Sequence, residues 1–241
     1  MLVSTVSSRL ERMLREDQAD RQLFATTPAS TWGDAEHVAA RTRMGENDTR
    51  RRAEVQEMLD AGLVHDPDDC FSAAMIFQHG TVADDYLKAH RLSYQAALGG
   101  HGPARGLTAA TLDRFLLTVE RPQIVGTQYY TNGPCHMDPF DTSLPDQARL
   151  ALGARTLEQS RVLMQAVDQG LPWDEAVAAA AQVPVTRSHE PLLEQARALL
   201  AGQDLIQGYA LAVAAALEHE PGAERVVEGA FGQLRSILPQ V

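Results

Sequence analysis

The chain of 241 residues is poor in cysteine, with only Cys70 and Cys135. Two thiols without a CxxC spacing provide neither a disulfide framework nor a paired-cysteine zinc site. A single bridge between them is one interpretation of the pair. We favour the other interpretation, in which both are free thiols in a reducing cytosol.

Positive charge and long apolar runs are also scarce. Lys and Arg number 21 against 32 Asp and Glu, which gives a formal net charge of −11 and a pI near 5.1. An acidic surface repels nucleic acid and anionic lipid, so neither is expected as a partner. The N-terminus lacks a basic segment followed by a long apolar stretch, and the Ala-rich run near residues 205–217 is too short to span a bilayer. The sequence therefore predicts a cytoplasmic protein without a membrane partner.

Sequence motifs of the common cofactor and nucleophile chemistries are missing. The chain has no GxGxxG or Walker A loop for a nucleotide, no GxSxG or SxxK nucleophile and no HExxH metal motif. His79, Asp84, Asp85 and His90 carry groups that bind metals, but not at a recognised ligand spacing. We therefore predict neither a cofactor nor a metal site.

Apolar residues recur at helical spacing through most of the chain. In residues 3–24 they include Val6, Leu10 and Met13, with charged residues between them. Near residues 123–130 this periodicity gives way to β-branched, aromatic and amide residues, which are typical of strands. The predicted fold class is mainly α, a multi-helix bundle with a short β-strand or hairpin near 123–130.

Five amphipathic segments follow residue 155, at about residues 156–169, 173–182, 190–201, 204–219 and 222–238. Their Ala, Leu and Val stripes are typical of helix-on-helix packing. We predict two regions on this basis. Residues 1–155 form a helical core domain with a polar site, and residues 156–241 either cover that core or form the surface of a homodimer.

The polar site is predicted from ionisable and amide side chains that stand among core-type apolar residues. His79 follows the apolar run 75–77, and the Asp113-Arg114 pair is flanked by Leu112 and Phe115. Burying such groups without partners costs several kcal/mol, so the fold must pair them or use them. We predict one shared pocket, lined by His79, His90, Asp113, Arg114, Gln123, Thr127 and Gln128.

Roles within this pocket follow from the chemistry of each side chain. His79 is the candidate acid/base, because an unperturbed histidine titrates near neutral pH. Asp113 and Arg114 point about 100° apart on a helix, so each needs its own partner. Asp113 is predicted to orient His79, and Arg114 to hold a carboxylate or phosphate with its guanidinium fork. The alternative is a structural network that ties the helix to the hairpin. Substrate contacts are assigned to Gln78, His90, Gln123, Thr127, Gln128, Asp17, Arg21 and Arg149.

An ordered set of short motifs spans about residues 10–155. It resembles an uncharacterised bacterial family, a domain of unknown function with a QH…DR…Q-x-Y-GTQ pattern. The resemblance implies a shared polar site and no particular reaction. Val125 stands where the family pattern tends to have Tyr, and the long helical C-terminal part is a second departure. The motifs are DQxxR at 17–21, ND at 47–48, Gly62, QH at 78–79, DR at 113–114, QxxGTQ at 123–128 and DxxRxxLG at 146–153.

These observations predict a cofactor-independent acid/base enzyme that acts on a small polar or amide-bearing metabolite. Hydrolysis, elimination and cyclisation all fit the predicted groups. The Ala- and Arg-rich composition looks actinobacterial, which favours a role in bacterial secondary metabolism. One alternative is a small-molecule-binding immunity or self-resistance protein without turnover. Another is a helical scaffold whose polar residues only stabilise the core.

Overall fold

The computed structural model describes residues 2–27, 29–186 and 190–238, and these residues are mainly α-helical, as predicted. A 3-10 turn at Ala29–Thr31 separates the first two helices. The five helices after residue 155 have nearly the predicted bounds. The helices are α1 Leu2–Thr26, α2 Ala35–Asp60, α3 Pro67–Phe77, α4 Ala83–Leu98, α5 Ala104–Thr118, α6 Asp146–Ala151, α7 Leu157–Asp168, α8 Trp173–Ala181, α9 Leu192–Ala201, α10 Leu205–Leu217 and α11 Ala223–Arg235.

The β-structure predicted near residues 123–130 is reduced to two isolated bridges. Gln123 pairs with Phe140 in a parallel bridge, and Tyr130 pairs with His136 in an antiparallel bridge. Residues 119–145 otherwise form irregular backbone in the part of the chain that the structure describes. This backbone must satisfy its polar groups with side chains instead of a sheet ladder.

The contacts divide the chain into two compact units, Met1–Ala104 and Arg105–Val241. We call them the N-terminal unit and the C-terminal unit. The division into residues 1–155 and 156–241 that the sequence indicates stays a prediction. Helix α6, which lies before residue 155, packs against α10, which lies after it. The two helices therefore belong to one unit.

In the N-terminal unit, helices α1, α2, α3 and α4 form the core. Helix α3 packs against each of the other three, and α1 also packs against α2. Asp66 caps α3, because its side chain accepts a hydrogen bond from the Asp68 N–H, and Pro67 occupies the first turn. Helix α3 is apolar on most sides, so it occupies the centre of this unit.

In the C-terminal unit, α10 is the central helix. All its residues from Gly208 to Leu217 are buried, and α6, α9 and α11 pack around it. Helices α7 and α8 form a second core through Leu163, Ala166, Ala176 and Ala180. Within the described residues, no helix combines the length and the apolar character needed to cross a membrane.

Candidate functional site

The candidate site in the N-terminal unit is a polar layer between helices α1 and α2. In α1 the buried apolar stripe of Val6, Leu10 and Met13 continues, at the next helical step, with Asp17. In α2 the stripe of Met58 and Val55 continues with Arg51 and Asp48. The helical repeat therefore carries charged side chains into positions where apolar ones would normally pack.

The buried charges in this layer pair with one another across the two helices. Arg21 contacts the Asp17 carboxylate at 2.7 Å and the Asp48 carboxylate at 2.8 Å. Arg51 contacts Asp48 at 2.8 Å and Asp20 at 2.7 Å. Each guanidinium thus bridges two carboxylates, and such bridging offsets part of the cost of burying the charges.

The layer contains three carboxylates but two guanidinium groups. The carboxylates are those of Asp17, Asp20 and Asp48, and the guanidinium groups are those of Arg21 and Arg51. When all five groups are ionised, one negative charge remains uncompensated. The Asp17 side chain is 1% exposed, so that charge lies out of solvent. Two groups near Asp17 can offset the charge, namely a hydrogen bond from Gln18 at 2.8 Å and the imidazole of His79.

His79 lies just after the C-terminal end of α3, in the turn at residues 78–79. Arg52 of α2 donates a hydrogen bond to the His79 carbonyl at 3.0 Å and contacts Asp85 at 3.5 Å. The His79 Nε2 atom lies 3.5 Å from Asp17 Oδ2. The His79 side chain is 23% exposed, so the pair joins a solvent-accessible imidazole to a buried carboxyl group.

Burial raises the pKa of the Asp17 carboxyl from its ordinary value to about 6. Arg21, Gln18 and Arg51 lower the pKa, whereas the negative charge of Asp48 raises it further. The desolvation effect is the largest of these. Asp17 therefore changes its protonation state close to neutral pH, in the range where an ordinary histidine also titrates.

This arrangement has the parts of a proton-transfer couple. The Asp17 carboxyl group, whose pKa is raised, lies beside His79, and the His79 side chain reaches solvent. A separation of 3.5 Å is long for a direct hydrogen bond, but catalytic hydrogen bonds often tighten only when substrate is bound. Groups with perturbed pKa values are typical of functional sites, although structural ion pairs also produce them.

The predicted residues of the C-terminal unit form a different kind of cluster, centred on Asp113 of α5. Asp113 is fully buried, and its carboxylate accepts five hydrogen bonds from residues 124–127. Four come from consecutive backbone N–H groups at 2.9 Å, and the fifth comes from the Thr127 hydroxyl at 2.7 Å. The carboxylate therefore accepts the hydrogen bonds that a neighbouring strand would accept in a β-sheet.

The carbonyl groups of the same segment face a buried cation. Arg149 of α6 donates hydrogen bonds to the Ile124 carbonyl at 3.0 Å and to the Val125 carbonyl. Gln123 closes the loop, since its amide accepts from the Gln128 N–H at 2.9 Å and donates to the Gln128 and Met137 carbonyls. The loop is thus held between an anion and a cation.

Gly126 and Gln128 complete this cluster. Gly126 has a φ of +86°, and a Cβ atom there would lie 2.9 Å from the Phe140 ring, so only glycine fits without strain. Arg114 donates a hydrogen bond from Nε to Gln128 Oε1 at 3.1 Å. These contacts resemble the alternative interpretation of this segment, a structural network that ties it to a helix.

Burial raises the pKa of the Asp113 carboxyl, and the hydrogen bonds from Val125, Thr127 and Ile124 oppose that rise. All five groups around the carboxylate are donors, so a protonated carboxyl would have to give up one of them. The geometry therefore fits the ionised form. In the structure the carboxylate beside His79 is Asp17, and the orienting role predicted for Asp113 stays a prediction.

The remaining predicted residues lie in the N-terminal unit. Gln78 caps the C-terminal end of α3 and contacts the Met75 sulfur at 2.9 Å. His90 is fully buried in α4, where its carbonyl accepts a hydrogen bond from Ser93 at 3.0 Å. Within the described part of the chain, no group of three or more His, Cys, Asp or Glu side chains is arranged to hold a metal ion.

The predicted residues are therefore divided between the two units. Asp17, Arg21 and His79 lie together in a first cluster, and the single pocket that joins both sets stays a prediction. Three members of the first cluster are not among the site residues predicted from the sequence. A signal for them was present, because each lies three residues from another charged member on the same helix face. The three are Asp20, Asp48 and Arg51.

Comparisons of this chain with protein-family models, with curated proteins and with solved structures found no match. The resemblance to the bacterial domain of unknown function stays a prediction.

Proposed function

We propose that this protein is an acid/base enzyme in which His79 and Asp17 transfer the proton. The observation that carries the proposal is the contact between the two, since a buried carboxyl with a pKa of about 6 lies 3.5 Å from a partly exposed imidazole. General acid/base catalysis is most effective when the catalytic pKa lies near the working pH.

In this proposal His79 exchanges the proton with the substrate and Asp17 acts through His79. Asp17 is too deeply buried to meet a substrate directly, whereas His79 reaches solvent. The Arg21 and Arg51 pairs hold the Asp17 carboxyl in place, because each bridges α1 and α2. Hydrolysis, elimination and cyclisation of a small polar or amide-bearing metabolite all require such a transfer.

The test is turnover of metabolites by the wild-type protein and by His79→Gln. A bacterial metabolite extract is incubated with each protein and followed by mass spectrometry. We expect at least one metabolite to be consumed by the wild type, with a matching product, and not by the variant. His65→Gln, which changes an exposed histidine, is the matched control and should behave as wild type.

The Asp17→Asn variant adds a readout that a structural role would not change. We expect the wild-type rate to depend on pH with an inflection near 6, and the inflection to move to a different pH in the variant. If a metabolite is bound in a fixed ratio but never converted, the protein is a binding protein and the enzymatic proposal is overturned. Equal turnover by His79→Gln would overturn it as well.

A further inference from the structure

The C-terminal unit contains a cavity that the proposed function does not use. It has a volume of about 400 Å³, which lies within the range of small-molecule sites. Its walls come from α5, α7, α8 and the connecting segments near residues 126 and 153. The polar side chains on these walls are Thr127, Arg155 and Gln159, and none of the described lining residues is acidic.

Arg155 has no counter-ion in the described part of the chain. It is half-buried, and it makes neither a hydrogen bond nor an ion pair with any described residue. Arg155 therefore lines the cavity without an acidic neighbour among the described lining residues. A guanidinium group has five N–H donors and no acceptor, so a ligand that binds Arg155 must offer acceptor atoms.

Gln159 adds a second unused donor. Its Oε1 atom accepts from the Thr156 N–H at 3.0 Å in the capping box of α7, which fixes the orientation of the amide. The Nε2 group therefore points away from that N–H, and it donates no hydrogen bond among the described residues. Thr127 is already engaged, since its hydroxyl donates to Asp113 and accepts from Gln128.

The other described lining residues of the cavity are apolar. Val177, Ala180 and Ala181 of α8 line it, and Gly126 and Gly153 contribute backbone without side chains. A ligand that fits both kinds of lining residue needs two acceptor oxygens at one end and a short hydrocarbon body at the other. A carboxylate matches the planar fork of a guanidinium group in a bidentate contact.

We infer that this cavity binds a small aliphatic monocarboxylate, with Arg155 and Gln159 holding its carboxylate and α8 covering its hydrocarbon part. The inference does not depend on the acid/base function of the N-terminal unit. Its failure would leave that proposal unchanged.

The test is an NMR titration of the full-length protein with sodium butyrate. The Arg155 Nε–H and the Gln159 side-chain amide are followed, and equal concentrations of sodium chloride correct for ionic strength. We expect saturable shifts of both signals. Butyramide, which has the same shape without the charge, should bind about tenfold more weakly or worse, because a charge-assisted contact is replaced by a neutral one.

Two variants and one control locate the site. Arg155→Gln should weaken butyrate binding about tenfold or more, and Gln159→Leu should weaken it by a smaller factor, about threefold. Arg225→Gln is the matched control, since Arg225 is an exposed arginine of α11 outside the cavity. It should bind butyrate as the wild type does.

Several results would overturn the inference. They are the absence of saturable shifts with butyrate, equal binding of butyramide, or equal weakening by Arg225→Gln. Binding of inorganic phosphate without binding of butyrate would show an anion site of another class and would also overturn it. Gln159→Leu keeps the test decisive if Arg155→Gln does not fold.

Discussion

In the N-terminal unit the buried charges of Asp17, Asp48 and Arg51 face other side chains, whereas in the C-terminal unit Asp113 and Arg149 face the backbone. Asp113 accepts from four consecutive N–H groups and one hydroxyl, which leaves it no further capacity near that loop. Asp17 has a mixed set of charged and neutral neighbours and a pKa of about 6.

The partners of a buried carboxylate influence its protonation, and these partners differ between the two units. Backbone N–H groups do not titrate, and the hydrogen bonds that they donate favour the ionised form of the carboxylate that they surround. The charged side chains around Asp17 only partly compensate one another, and the negative charge that remains favours protonation of Asp17. The C-terminal cluster therefore contains a carboxylate that is hydrogen-bonded to a loop, and the N-terminal cluster contains a carboxyl group whose pKa is raised to about 6.

The largest effect is expected from Asp113→Asn. The amide keeps the shape of the carboxylate but turns an N–H₂ group towards N–H donors, which leaves buried donors unsatisfied. We expect the free energy of unfolding of the C-terminal unit to fall by about 3–5 kcal/mol. Urea denaturation followed by circular dichroism measures the loss, and the amides of residues 124–127 should lose protection from hydrogen exchange.

The control for this change is Asp141→Asn. Asp141 is exposed, and its carboxylate accepts a hydrogen bond from the Ser143 N–H at 2.8 Å. This substitution should cost less than about 1 kcal/mol. If Asp113→Asn were no more costly than the control, the structural role of the Asp113 cluster would be refuted.

The second prediction concerns pH and Asp17. The folded-state pKa of about 6 lies above the ordinary value of 3.8, so the folded protein binds this proton more tightly than the unfolded chain does. The resulting stabilisation is present below the unfolded-state pKa and is lost as the pH rises through 6. The loss amounts to roughly 3 kcal/mol.

Asp17→Asn should lack this part of the pH dependence. The measurement is the difference in unfolding free energy between wild type and variant at a series of pH values on both sides of 6. We expect the wild type to lose stability relative to the variant as the pH rises. A difference that stays flat, or that changes in the opposite direction, would show that Asp17 is ionised throughout.

A third prediction compares two glycines. Gly126→Ala should destabilise the C-terminal unit by about 2–3 kcal/mol, because the new Cβ would meet Phe140 and the backbone has a positive φ. Gly45→Ala in the exposed middle of α2 meets nothing within 4 Å and should instead stabilise the protein by about 0.5–1 kcal/mol. Thermal unfolding of both variants gives the sign directly, and equal signs would contradict the prediction.

The smallest effect on stability is expected from His79→Gln. His79 is partly exposed, and its main-chain contact with Arg52 does not depend on its side chain. We expect a change within about 1 kcal/mol, similar to that of His65→Gln. A loss of several kcal/mol would place His79 with Asp113 among the structural residues and remove the contrast between the two clusters.

Much of the fold follows from sequence pattern. The apolar stripe of α1 and the Asp66-Pro67 start of α3 predict helices because helical periodicity and capping are local properties. The conformation of the segment 123–130 is harder to predict, because its strand-like composition leads only to isolated β-bridges and not to a sheet. Its conformation depends on Asp113, Gln123 and Arg149, which are distant in sequence, and no local rule specifies such contacts.

The candidate site was predictable only in part. Residue type and spacing are enough to predict the helices and the presence of polar residues such as His79 and Asp113 among apolar ones. The packed structure is needed to show that His79 lies beside Asp17 and that Asp113 is hydrogen-bonded to a loop. The partners of buried charges depend on how the helices pack, and contacts between residues distant in sequence fix that packing.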